Sequence, residues 1–288
     1  MRAALIGEGI AGSLTPSMHE AEAEAQGFAY HYARFDTALE PFDGLTLPQL
    51  LELAESEGFA GVNVTHPFKT DVANLLDDLS DTAGALGAVN TVIFEDGRRI
   101  GHNTDYMGFL NAFNSGLGDA QRERVLLCGA GGAGSAVALA LVDADVRHLM
   151  IADPQLERAE ALRAKLSMMR PDVMIVATKV PTAPDVEGVD GVVNATPLGM
   201  RGHPGMAINP AFLSPSSWVA EIVYFPLQTE FLTAARCRGC RTMTGAGMAV
   251  HQAAAAFALI TGKRADPVRM GASFERLLAS DTLKSEVV

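Results

Sequence analysis

At 288 residues the chain is long enough for two ordinary domains, each burying its own core. With 48% apolar and 19% charged residues it has the composition of a globular protein rather than a disordered one. The formal net charge of −12 argues against a nucleic-acid partner, which needs clustered Lys and Arg, but leaves an anionic small molecule open, because one local Lys outweighs a distant acidic surface.

The opening MRAALIG reads as a first β-strand and not as a signal peptide. No window approaches the roughly 18 apolar residues of a membrane span, so no membrane partner and a cytoplasmic protein are expected. From there, apolar strand-like runs alternate with helical patterns almost to the end, which predicts an α/β fold with parallel sheets. Strands are predicted at 3–7, 30–36 and 59–65, with helices at 16–26 and 48–57 between them. AVNTVIFEDGRRIGHN adds a strand pair with an Asp96-Gly97 turn, a hairpin signal. A second run begins at RVLLCGAGGAG: strand 125–128, helix 133–141, strand 148–152, helix 154–168, strand 172–177, then strands at 191–194 and 218–222. Two helices, 248–261 and 267–278, close the chain. The three cysteines are too few for a disulfide framework. Cys237 and Cys240 form a C-x-x-C but lack a second ligand pair; they read as the end of a helix and the start of a strand, and no metal is implied.

The segment Gly129-Ala130-Gly131-Gly132-Ala133-Gly134 is a G-x-G-x-x-G directly after an apolar strand and opening an Ala-rich helix. The first Gly makes the tight turn, the second lets the backbone approach a pyrophosphate, and the third permits close helix–strand packing, with the diphosphate on the helix N-terminus. Asp153 follows about 20 residues later, at the end of the next strand, where a carboxylate accepts from the ribose hydroxyls and repels a 2′-phosphate. The chain then reads Pro154-Gln155, with Arg158 a turn later, so NAD is favoured over NADP.

NVTHPFK (63–69) ends a strand, turns at Pro67 and places Lys69 at a predicted helix start, where the macrodipole disfavours a cation. A Lys there is an odd choice for a solvated surface charge. GHNTDYMG (101–108) puts Asp105 in the first turn of a helix, where an anion is favoured and a purely structural role is the plainer reading of that residue alone.

Taken together, NVTHPFK, GAVNT, GHNTDYMG, GAGGAG and VNATPLGM, in this order and at these spacings, strongly resemble the shikimate dehydrogenase family, and SLTPSMHE and GAGMAVHQAAAAF extend the match over essentially the whole chain. Within the family the chain looks most like the NAD-linked quinate/shikimate dehydrogenases, because Thr15 stands where strict shikimate enzymes usually have Ser and Asp153 where NADP-linked members usually have a short Asn/Ser-Arg-Thr/Ser sequence. The resemblance implies reversible NAD-dependent oxidation of quinate, shikimate or both to the 3-dehydro compound. Lys69 and Asp105 would form the proton-handling pair. Ser13, Thr15 and Tyr224 would hold the substrate carboxylate, and Thr65, Asn90 and Gln252 the ring hydroxyls. Asn194, Ala195 and Thr196 would line the cofactor cleft, closed by Val223, Gly245 and Met248.

Bland readings stand beside several of these: Thr15 before Pro16 as a helix N-cap, Asn90 as a strand-end turn residue, Gln252 as helix surface, Met248 as core. His19, His66 and His102 read as packing or capping residues, and His251 as a neighbour of the pocket. The predicted architecture is a substrate domain from 1–104 plus 245–288 and a Rossmann-type domain from 105–244, with the active site in the cleft and closure of the domains over it. A monomer or homodimer acting on a small molecule is expected. The alternatives are an NADP-linked biosynthetic shikimate dehydrogenase, another dehydrogenase chemistry on the same layout, or a non-catalytic NAD(H)-sensing protein.

Overall fold

The computed structural model describes residues 1–285, with side chains described to residue 279. It divides into two compact units, Met1–Thr104 with Val250–Val288 and Asp105–Ala249.

The first unit is built on a six-stranded mixed sheet. Its strands are β1 (Arg2–Gly7), β2 (His31–Asp36), β3 (Gly61–Val64), β4 (Asp78–Leu79), β5 (Thr91–Glu95) and β6 (Arg98–His102), in the order β2-β1-β3-β5-β6-β4. The period of two along β1 sorts its side chains onto two faces. Ala4 and Ile6 join Leu50 and Leu51 of helix α2 (Leu47–Ser56), with Val62, Val64, Val89 and Val92, in one core. Ala3 and Leu5 meet Tyr32 and Ile260 on the other face. β5 runs antiparallel to both neighbours, and Asp96 and Gly97 turn the β5–β6 hairpin with φ of 50° and 73°, the paired left-handed conformation that matches strand twist. Helix α1 (Thr15–Ala25) and the short α3 (Asp81–Leu86) complete the N-terminal part.

The second unit begins within α4 (Thr104–Leu117). Six strands follow: β7 (Arg124–Cys128), β8 (His148–Ala152), β9 (Met174–Thr178), β10 (Gly191–Asn194), β11 (Trp218–Glu221) and β12 (Arg241–Met243), joined by α5 (Gly132–Asp143), α6 (Leu156–Met169), α7 (Ala183–Val186) and α8 (Glu230–Cys237). Every pairing is parallel and the order is β12-β11-β10-β7-β8-β9. That order reverses direction between β10 and β7, the doubly wound arrangement whose switch point is a ligand crevice. Strands covered on both faces read as continuous apolar runs, and β10 and β11 are buried at every position. Helix α9 (Ala246–Thr261) leads back to the first unit, which ends in α10 (Pro267–Ser285). Among the described residues no helix is long and apolar enough to cross a membrane, and no cluster of three or more His, Cys, Asp or Glu could hold a metal ion.

Candidate active site

In the first unit the loop after β1 is fixed by a buried carboxylate. Asp36, at the end of β2, accepts from the backbone N–H of Gly9 and of Ile10, both at 2.8 Å. Ser13 follows, its carbonyl accepting from Arg34 at 2.9 Å, and Thr15 opens α1. Thr15 is not the N-cap; Leu14 occupies that position and no side chain caps the helix, so the capping reading is corrected.

Thr65 directly follows β3, and its backbone is held at both ends. Its N–H donates to Ile6 and its carbonyl accepts from Phe68, both at 2.9 Å. A Cβ on Gly7 would lie 2.4 Å from the Thr65 methyl, so only glycine lets this turn pack against β1. Lys69 does not start an α-helix. It lies in a turn, followed by a single 3₁₀ turn at Val72–Leu75. No α-helix macrodipole therefore starts at Lys69. What fixes the residue is its carbonyl, which accepts from Val89 N–H at 2.7 Å.

Asn90 is 3% exposed and sits in a dense polar network. Its Oδ1 accepts from Thr104 N–H at 2.8 Å, which orients the amide so that Nδ2 donates to Thr104 Oγ1 (3.0 Å) and to Gln252 Oε1 (3.3 Å). The structure thus joins Asn90 to Gln252 across 162 residues of chain. Behind them the β3–β5 register sets Asn63 opposite Thr91, linked at 2.8 Å, and Asn63 accepts from the Tyr32 hydroxyl at 2.6 Å. Asn63, Thr91 and Thr104 carried no role from sequence alone; for Asn63 a polar residue inside an apolar strand was the available signal, and Thr104, at the start of α4, offered none.

His19 is fully buried among Tyr30, Tyr32 and Phe257, and burial pushes its pKa down to about 3, which makes it a packing histidine. His102 and His251 are lowered by burial as well.

In the second unit the glycine loop meets the requirements of its motif. Gly129 has φ +102°, and a Cβ there would lie 2.7 Å from the Ala195 carbonyl oxygen. A Cβ on Gly134 would lie 2.0 Å from the Gly129 carbonyl. One on Gly131, the N-cap of α5, would meet nothing within 4 Å, so this position opens outward above the helix N-terminus. Open space over the free N–H groups of Gly132, Ala133 and Gly134 suits a diphosphate. Ala130 between them is buried.

Asp153, 7% exposed, lies just past β8; its two oxygens accept from Ala130 N–H and Gln155 N–H, each at 2.9 Å. The carboxylate therefore braces the glycine loop, and Arg158 lies exposed on α6.

On the other side of the switch point, Asn194 ends β10. Its Oδ1 accepts from Thr196 N–H (3.0 Å) and Thr196 Oγ1 (2.6 Å), while Nδ2 donates to Leu198 carbonyl (3.0 Å) and Glu221 (2.8 Å). Ala195 N–H donates to Cys128 at 2.7 Å. Val223 is buried, and Gly245 lies against it: a Cβ on Gly245 would come 2.5 Å from the Val223 carbonyl. Met248 is 6% exposed on α9. Asp105, 4% exposed, stands in the first turn of α4. Burial, followed by the charge of Asp105, raises the Tyr224 pKa. Glu221 is fully buried and was not singled out from sequence; a carboxylate inside the apolar run WVAEIV was the signal.

A glycine fingerprint at the switch point of an all-parallel sheet, joined to a mixed α/β unit, defines a two-domain fold of Rossmann type. The family model described as the shikimate dehydrogenase substrate binding domain matches residues 5–92. The chain is 46% identical to a shikimate dehydrogenase (NADP(+)) of Streptomyces avermitilis, covering 97% of both chains. It is 47% identical to a quinate/shikimate dehydrogenase (NAD(+)) of Corynebacterium efficiens, covering 94% of this chain and 96% of that one. The structure of quinate dehydrogenase from Corynebacterium glutamicum in complex with NAD superposes with a TM-score of 0.90 at 44% identity, over 96% of this chain and 99% of that one. The chain belongs to the shikimate dehydrogenase family.

Proposed function

We propose that the protein is an NAD-dependent oxidoreductase that reversibly oxidises a ring hydroxyl of quinate and of shikimate to the 3-dehydro compound. The dinucleotide supplies the hydride acceptor; the chain's own residues bind, orient and move the proton. Lys69, as the amine, takes the proton from the reacting hydroxyl and becomes the ammonium, which returns it in the reverse direction; Asp105 orients the Lys69 head group and shares that hydroxyl. Ser13, Thr15 and Tyr224 hold the carboxylate. Thr65, Asn90 and Gln252 hold the other hydroxyls, Asn90 exchanging its long bond to Gln252 for one to substrate. Gly129 to Gly134, Asn194, Ala195, Thr196, Val223, Gly245 and Met248 form the dinucleotide site.

The observation that carries the NAD preference is Asp153. Its buried carboxylate is locked to two backbone N–H groups, so it cannot swing away from a 2′-phosphate, and no Arg stands directly after it. An NADP-linked shikimate dehydrogenase is the second reading, favoured by the relative of that name at nearly equal identity. Initial rates with quinate and with shikimate, each with NAD and NADP, decide between them. Turnover with NAD far above NADP is expected. The reverse preference would establish the second reading, and no turnover in any combination would remove both.

A further inference from the structure

The second unit buries a carboxylate that the proposed reaction does not use. Glu221 is the last residue of β11, paired in register with Asn194 of β10, at the carboxyl end of the sheet, and is 0% exposed. The donors that reach it are neutral: Asn194 Nδ2 at 2.8 Å, Thr229 Oγ1 at 3.1 Å and the Val223 backbone. Thr229 is itself fixed as the N-cap of α8, accepting from Leu232 N–H at 3.1 Å. Burying a carboxylate among neutral partners costs stability, so the arrangement calls for a compensating role.

The hydrogen-bond chain supplies one. An ionised carboxylate only accepts, so it fixes which end of the Asn194 amide faces it. With Nδ2 held by Glu221 and by the Leu198 carbonyl at 3.0 Å, Oδ1 faces Thr196, where it accepts from both the N–H and the hydroxyl; Thr196 Oγ1 in turn accepts from Leu198 N–H at 3.2 Å. Residues 195–198 are therefore tied, through the Asn194 amide, to the position of the Glu221 carboxylate. This segment packs directly on the Gly129 turn. The adenosine ribose belongs with Asp153 on the β8 side, so the nicotinamide half of a dinucleotide falls on the β10–β11 side of the switch point.

We infer that Glu221 is the positioning residue for the nicotinamide half of the dinucleotide site, acting through Asn194 on residues 195–198. The inference rests on the reading of this unit as a dinucleotide site. In Glu221→Gln the volume is kept, but only one of the two acceptor oxygens remains, so either Asn194 Nδ2 or Thr229 Oγ1 loses its acceptor and the support of Asn194 is weakened.

Binding of NADH and NADPH, followed by their fluorescence, and of ADP-ribose, followed by calorimetry, is measured on the full chain at pH 8.5 for wild type and Glu221→Gln. The variant should bind the preferred reduced dinucleotide about tenfold or more weakly, with ADP-ribose, which lacks the nicotinamide, held within about twofold. Equal loss for both ligands, or loss for neither, overturns the inference while leaving the dinucleotide reading intact. A wild type that binds neither reduced dinucleotide overturns both. If Glu221→Gln does not fold, Glu221→Asp, which draws the acceptor a methylene away from Asn194, takes the same test with the same expected direction.

Discussion

The two units build their polar sites in different ways. In the second, all six strands are parallel and the site follows from topology: the order reverses between β7 and β10, and the glycine loop leaves β7 at that point. In the first, the sheet is mixed and the site follows from register. The antiparallel β3–β5 pairing sets Asn63 against Thr91, and Asn90 then gathers Thr104 and Gln252 from distant parts of the chain. A topological site is carried by backbone N–H groups and tolerates many side chains around it. A register site is carried by side-chain amides, each with one workable orientation, and a single substitution there breaks several bonds.

That contrast predicts separable failures. The largest is Lys69→Ala, where loss of proton transfer should lower kcat by about 10²- to 10⁴-fold while NADH affinity stays near wild type. A variant that keeps its turnover would remove Lys69 from the chemistry, and one that loses NADH binding would end the separation of the two sites.

Next comes stability against pH in the second unit. Burial raises the Glu221 pKa from its ordinary 4.5 to about 7, despite hydrogen bonds from Asn194, Thr229 and the Val223 backbone that oppose the shift. The folded chain then keeps a proton that the unfolded chain releases. Stability from this group is complete below pH 4.5 and is lost as pH rises through 7, by roughly 3 kcal/mol in total. Unfolding curves of wild type and Glu221→Gln should therefore shift relative to each other across this window, with wild type losing ground as pH rises. A constant offset would show that the carboxylate titrates at its ordinary value.

Smaller is Asp153→Ala, which removes two anchors of the loop and, under the proposed function, the acceptor for the ribose. NADH affinity should fall about 10- to 100-fold, a loss of about 1.4 to 3 kcal/mol, with KM for the ring substrate little changed. Unchanged NADH affinity would separate Asp153 from nucleotide binding. The smallest effect is Thr15→Ser, a single methyl in the first unit. It should alter the quinate-to-shikimate ratio of kcat/KM by a few-fold, about 1 kcal/mol or less. An unchanged ratio would remove Thr15 from substrate choice.

The sequence by itself determined the alternation of strands and helices, the hairpin at Asp96-Gly97 and the glycine loop, because each is written in local chemistry: apolar period, turn residues with positive φ, and glycine where a side chain would collide. The motifs that marked the family were legible for the same reason, being contiguous. Only the tertiary structure decided the rest. Lys69 sits in a turn and its carbonyl accepts from Val89 N–H at 2.7 Å, a pairing with a distant part of the chain that local propensity does not encode. Asn63 and Thr104 became partners of the candidate site through strand register and through chain separations that no local pattern encodes. Glu221 had no reading from sequence; neighbours on β10 and at the N-cap of α8 made it a buried carboxylate, since burial is a property of what packs around a residue and not of the residue itself.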